Sequence, residues 1–162
     1  MKNLYLILFC LVVTFSNVLG QAKTSTETGA TAIDECGVRF KLAVDFEKIE
    51  VRGIDSCVLK YKNNSSILML DVLGYITPNA SRRDEYSDEK NYKYRRTTIQ
   101  KRKAEIFTFE ETQNRENSSF PYVAVLFVPQ MSREGGNLTI WINSTSENER
   151  TAAMKIFQTV RF

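Results

Sequence analysis

Asn137-Leu138-Thr139-Ile140-Trp141-Ile142-Asn143-Ser144 is the stretch that decides the fold. Leu138, Ile140 and Ile142 alternate with Thr139, Trp141 and Asn143, which is the period of two that a half-buried β-strand requires. The three aliphatic residues should face a core. Asn137, Thr139, Trp141 and Asn143 share the opposite parity and should lie on the other face. Trp141 then has two readings. It is either an exposed aromatic contact for a partner or a sugar, or a ring buried beneath a loop or bulge on that face.

The same alternation spreads outward along the chain. Val38, Phe40, Leu42, Val44 and Phe46 alternate with Arg39, Lys41, Ala43 and Asp45, and Cys57, Leu59 and Tyr61 form a second such set. Residues 67–76 are almost continuously apolar, as in a strand covered on both faces. Residues 122–128 form another apolar strand, bounded by Pro121 and Pro129. Ile106, Phe107 and Phe109 mark one more, and residues 153–162 read as a closing strand. Between them, residues 77–103 are highly charged. They read as a long exposed loop, with a short helix or an edge strand over residues 94–99. Little helical periodicity appears, so the expected class is all-β. We expect a single antiparallel β-sandwich, jelly-roll or related, of about seven to nine short strands.

The N-terminus sets the compartment. Lys2 precedes an apolar run from Leu4 to Phe15, and small residues near Gly20 and Ala22 offer a cleavage site, so residues 1–22 read as an export signal. No later segment reaches the roughly 18 consecutive apolar residues of a membrane-spanning helix, so no transmembrane anchor is expected. Residues 23–35 are rich in Ser and Thr and read as a flexible lead-in, leaving 36–162 as the sandwich domain. Of the three cysteines, Cys10 lies within the signal. Cys36 and Cys57 remain, and an oxidising compartment favours a bridge between them over two free buried thiols.

Composition removes whole classes of chemistry. The chain contains no histidine. That removes the usual Ser-His-Asp and Cys-His nucleophiles, histidine general bases and histidine-ligated zinc. The acidic run Asp84, Glu85, Asp88 and Glu89 lacks an apolar pocket and reads as solvating. No catalytic residue, metal or cofactor is expected. A net charge of +3 is too small to imply a nucleic-acid partner.

Two kinds of surface signal remain. Six Asn-x-Ser/Thr acceptors, at Asn63, Asn64, Asn79, Asn117, Asn137 and Asn143, fall at expected turns or strand ends. Each would need an exposed attachment point to carry a glycan. Arg95, Arg96, Lys101, Arg102 and Lys103 form a basic cluster that suits an anionic polysaccharide, or else a solvated loop balanced by its acidic neighbours. The pairs Arg82-Arg83, Arg95-Arg96 and Lys101-Arg102 also match dibasic processing sites of a secreted precursor.

Two segments resemble CUB domains, the extracellular jelly-roll modules of complement and developmental proteases. Cys57-Val58-Leu59-Lys60-Tyr61 followed by residues 67–72 is similar to the family's Cys-x-Trp-x-Ile and Ile-x-Leu-x-Phe strands. Residues 138–144 followed by Met154-Lys155-Ile156-Phe157 are similar to its last two strands, and the spacing of Cys36 and Cys57 is close to its first disulfide. The second disulfide is absent, Leu59 stands at the tryptophan position, and the terminal Gly-Phe is missing. The resemblance implies an extracellular binding module. Many members bind calcium, but Thr145 stands where the last acidic ligand would be, so no calcium site is carried over.

The expected function is therefore that of a secreted, N-glycosylated recognition module contacting an extracellular protein or polysaccharide. A lipid-carrying β-barrel and a processed precursor are the alternatives. The barrel would enclose a ligand cavity, whereas a sandwich would have a filled core.

Overall fold

The computed structural model describes residues 29–51, 56–74, 88–112, 119–131 and 136–162. The expected export signal, Asn79, Asn117, Arg82-Arg83, Asp84 and Glu85 lie outside these residues. The strands are β1 (Ala30–Glu35), β2 (Val38–Ala43), β3 (Glu47–Ile49), β4 (Cys57–Lys62), β5 (Ser66–Gly74), β6 (Lys90–Ile99), β7 (Arg102–Glu110), β8 (Tyr122–Val128) and β9 (Asn137–Ser144). Two short helices follow, α1 (Glu147–Ala153) and α2 (Ile156–Thr159). The chain is all-β and antiparallel. A seven-stranded sheet of order β3-β4-β5-β9-β8-β7-β6 is faced by the two-stranded sheet β1-β2. Among the described residues the large sheet is open, with β3 and β6 at its edges.

The opening stretch becomes the central strand, β9. Leu138, Ile140 and Ile142 are fully buried, as their parity requires. Cross-strand pairing lines up Leu59, Leu70, Ile140, Leu126 and Ile106 in one row that crosses five strands on the inner face. Val38, Phe40 and Leu42 of β2 cover this face together with Ile156, Phe157 and Val160 of the C-terminal segment. Such pairs are the unit of sheet stabilisation, and each buried aliphatic side chain adds about 1.5–3 kcal/mol of hydrophobic burial.

Three expectations change. Residues 30–35 of the presumed lead-in form β1, because their backbone pairs with β2 from Ala30↔Ala43 to Glu35↔Val38. The alternation beginning at Val38 stops at Leu42. Val44 is 64% exposed, in the turn after the strand. In the expected closing strand 153–162, Ala153 and residues 156–159 are helical with a turn between them, and the strand pairing that remains is one bridge, Arg39↔Arg161. Met154–Phe157, which carried the last part of the CUB resemblance, is consequently not a strand. Ser146 caps α1 by accepting the Glu149 amide at 3.3 Å, which satisfies one of the orphan donors at the helix start.

A Cys36–Cys57 disulfide joins the two layers. Cys36 and Gly37 form the two-residue turn of the β1–β2 hairpin, both at positive φ (56° and 74°), and Cys57 opens β4. This mirror-image turn matches strand twist, and glycine is free to take its second position. Beside it, Glu35 accepts a bond from Lys48 Nζ at 2.6 Å and a long one from Tyr61 Oη at 3.4 Å.

Burial, and then the Glu35 charge, push the Tyr61 phenol above its ordinary value of 10.0. A group whose pKa is raised on folding adds stability below its unfolded pKa and loses it as pH rises through the folded value. We therefore expect unfolding midpoints to fall more steeply above pH 10 in the native chain than in Tyr61→Phe. Identical alkaline profiles would contradict this.

Candidate functional site

The helical cover stops short of the sheet edge, and a groove opens there. The inner-face row ends Leu126, Ile106, Arg95, and its last member is on the edge strand and exposed. The resulting cleft has a volume of about 570 Å³. Ile99, Ile106, Met154 and Phe157 supply its apolar lining, and Arg95, Lys155 and Arg161 its cations. Thr97, Thr98, Gln100, Thr151 and Gln158 add hydrogen-bonding groups. Among the described lining residues none is acidic. Arg161 Nη1 donates to the carbonyls of Gln158 and Val160 at 3.0 and 2.7 Å, which holds its guanidinium at the end of α2. Neither Arg95 nor Lys155 forms an ion pair among the described residues, so both keep their charge available.

The pleat divides the basic cluster. Strand register places Arg95 and Arg102 on the inner face, and Arg96 and Lys103 on the outer face. Arg96 Nε donates to Tyr94 Oη at 3.2 Å, and Tyr94 Oη donates to Glu105 at 2.9 Å, so its charge is locally balanced. Arg102 donates to the Gln130 carbonyl at 2.7 Å and lies over the Phe162 ring, 5.6 Å from its centroid. Lys101 sits in the β6–β7 turn with Gln100, both at positive φ. One of the five, Arg95, lines the groove. The partners it acquires there, Lys155 and Arg161, belong to the segment expected to be a strand. Two signals could have found them. Ser146-x-x-Glu149 has the pattern of a capping box, and Ala153, Ile156, Phe157 and Val160 follow helical spacing.

Trp141 is not fully exposed. It is half-buried and packs against Phe107, Phe109, Val123 and Val125, with Tyr92 and Tyr94 alongside. Register explains this, since Met69, Trp141, Val125, Phe107 and Tyr94 form one row on the outer face.

The sequons also separate. Asn64 is exposed, whereas Asn63 is tied into its turn. Asn63 Oδ1 accepts the amides of Ser65 and Ser66 at 3.0 and 2.7 Å, and its Nδ2 donates to Asp45 at 2.8 Å. Asn143 is half-buried on β9 between Ile67 and Val123. Asn137 corrects the expectation of an exposed acceptor. It is 8% exposed, its Nδ2 donates to the Gly74 carbonyl at 3.3 Å, and its Oδ1 accepts from the Gln130 amide at 3.1 Å. A glycan on that nitrogen would have to leave from a nearly buried position beside the Gly74 carbonyl.

Among the described residues no group of His, Cys, Asp and Glu is placed to hold a metal, and no helix is long and apolar enough to cross a membrane. The fold is similar to the solution structure of cyanobacterial PsbP (CyanoP) from Synechocystis sp. PCC 6803. The TM-score is 0.52 at 13% identity, covering 88% of this chain and 98% of that one. At that identity the likeness shows the fold alone. No family model matches the chain, and no curated protein does.

Proposed function

We propose that this chain is a secreted, N-glycosylated recognition module that acts by binding, and that its contact surface is the cationic groove between β6 and the C-terminal helices. One observation carries the reading: Arg95, Lys155 and Arg161 converge on a concave site with no acidic residue among the described lining residues. Clefts lined by one sign of charge concentrate ligands of the other sign, so the partner is an anionic extracellular protein or polysaccharide. The absence of histidine favours binding over catalysis, and exposed Asn64 is the described sequon best placed for a glycan.

Affinity for immobilised polyglutamate and for heparin, measured across a salt series, tests the assignment. Arg95→Glu/Lys155→Glu should weaken binding to at least one matrix by about tenfold or more. Lys60→Glu/Lys62→Glu makes the same change in net charge on β4, near the opposite edge of the sheet, and should change it far less. Equal losses in the two double variants would mean that net charge, not the groove, governs binding.

A further inference from the structure

Building on the proposed groove, we infer that its occupant is an extended acidic peptide with interspersed apolar residues, bound by adding a strand to the free edge of β6. Three observations converge on this occupant. First, β6 is a ten-residue strand at the edge of the sheet, paired among the described residues with β7 alone. In a two-residue hairpin the closing pair, here Ile99↔Arg102, exchanges both ladder hydrogen bonds, and hydrogen-bonded pairs alternate from there. Thr97 and Arg95 therefore bond inward to β7, while Thr98 and Arg96 turn their N–H and C=O groups to the open edge. Backbone groups of this kind are what a strand-adding peptide uses for affinity.

Second, the charge of the edge is one-sided. Lys90, Lys93, Arg95 and Arg96 are its only charged residues, and all are positive. Charges on an edge normally repel other strands. Lys90 is ion-paired with Glu110 at 3.0 Å, and Arg96 is balanced through Tyr94 by Glu105. Lys93 and Arg95 would meet the same cations in a second copy of β6, but they attract a strand bearing carboxylates. The other free edge of the sheet, β3, is three residues long and too short to compete.

Third, the groove alongside has an apolar lining. Every second side chain of an added strand would enter it, where Ile99, Ile106, Met154 and Phe157 accept apolar groups and Arg95, Lys155 and Arg161 accept carboxylates. A sulfated polysaccharide would satisfy the cations but leave both the apolar lining and the edge backbone unused.

The test uses a labelled peptide of alternating Glu and Val, long enough to span residues 93–99, and a heparin oligosaccharide. Both are titrated into the native chain, Thr98→Pro and Arg95→Glu/Lys155→Glu. Proline at 98 removes an edge-facing N–H that the β6–β7 ladder does not use, so the fold should survive. The peptide should bind, lose about tenfold or more in affinity in both variants, and slow amide exchange at Arg96 and Thr98 in the native chain. Exchange needs no variant, so it decides the matter even if Thr98→Pro misfolds. Peptide binding that leaves those two amides unprotected, or that Thr98→Pro leaves intact, would overturn strand addition. Heparin binding without peptide binding would overturn the peptide and keep the groove. Neither ligand responding to the double charge variant would remove the groove itself.

Discussion

Phe40→Ala is expected to cost about 3–5 kcal/mol of folding stability, read as a lower denaturant midpoint at unchanged slope. Phe40 is 0% exposed and stands edge-on to Tyr61 with ring centroids 6.0 Å apart. It sits at the middle of β2, between Val38 and Leu42, and is the largest side chain that the small sheet sends into the core. Removing the ring deletes apolar burial and leaves a cavity between two layers whose backbones are held by their own hydrogen bonds and cannot collapse fully. The same truncation at exposed Val44, four residues on, should stay within about 0.5 kcal/mol. A loss below about 1 kcal/mol at Phe40 would mean that the hairpin does not pack on the sheet as described.

Cys36→Ser/Cys57→Ser is expected to cost about 3 kcal/mol, from the chain entropy returned to the unfolded state. The sequence separation is 21 residues. Cys36 lies in the hairpin turn and Cys57 begins β4, so the bridge closes the joint that Phe40 fills. Losses from the two changes should not simply add, because both act on the docking of one hairpin. Unfolding with and without reductant gives the same comparison without mutation. A native chain insensitive to reductant, with thiols shown to be reduced, would contradict the estimate.

Legibility differed from element to element for physical reasons. Strands β2, β4, β5, β8 and β9 could be read because each buries one or both faces against the core, and burial imprints period two, or a continuous apolar run, on local sequence. β6 was ambiguous. An edge strand with an exposed inner face carries charge where a central strand carries aliphatics, so it resembles a loop. β1 was missed for a related reason, since Ala30, Thr31, Ala32 and Asp34 are exposed and pair mainly through backbone. The C-terminal segment misled because Met154-Lys155-Ile156 alternates as a strand would. The spacing of Ala153, Ile156, Phe157 and Val160 was the better guide. It buries one side of a short helical turn against the large sheet.

Sequence alone determined the all-β class and the facing of β9, and it favoured Cys36 with Cys57 as the bridged pair. Each follows from a periodicity or a count that neighbouring residues carry by themselves. The tertiary structure alone decided the candidate site. Pleating sent Arg95 and Arg96 to opposite faces although they are adjacent in the chain. Folding of the helical C-terminus then brought Lys155 and Arg161 to Arg95, from about 60 residues away. Charges collected across that separation obey no local period, because it is packing of the apolar residues between them that sets their positions.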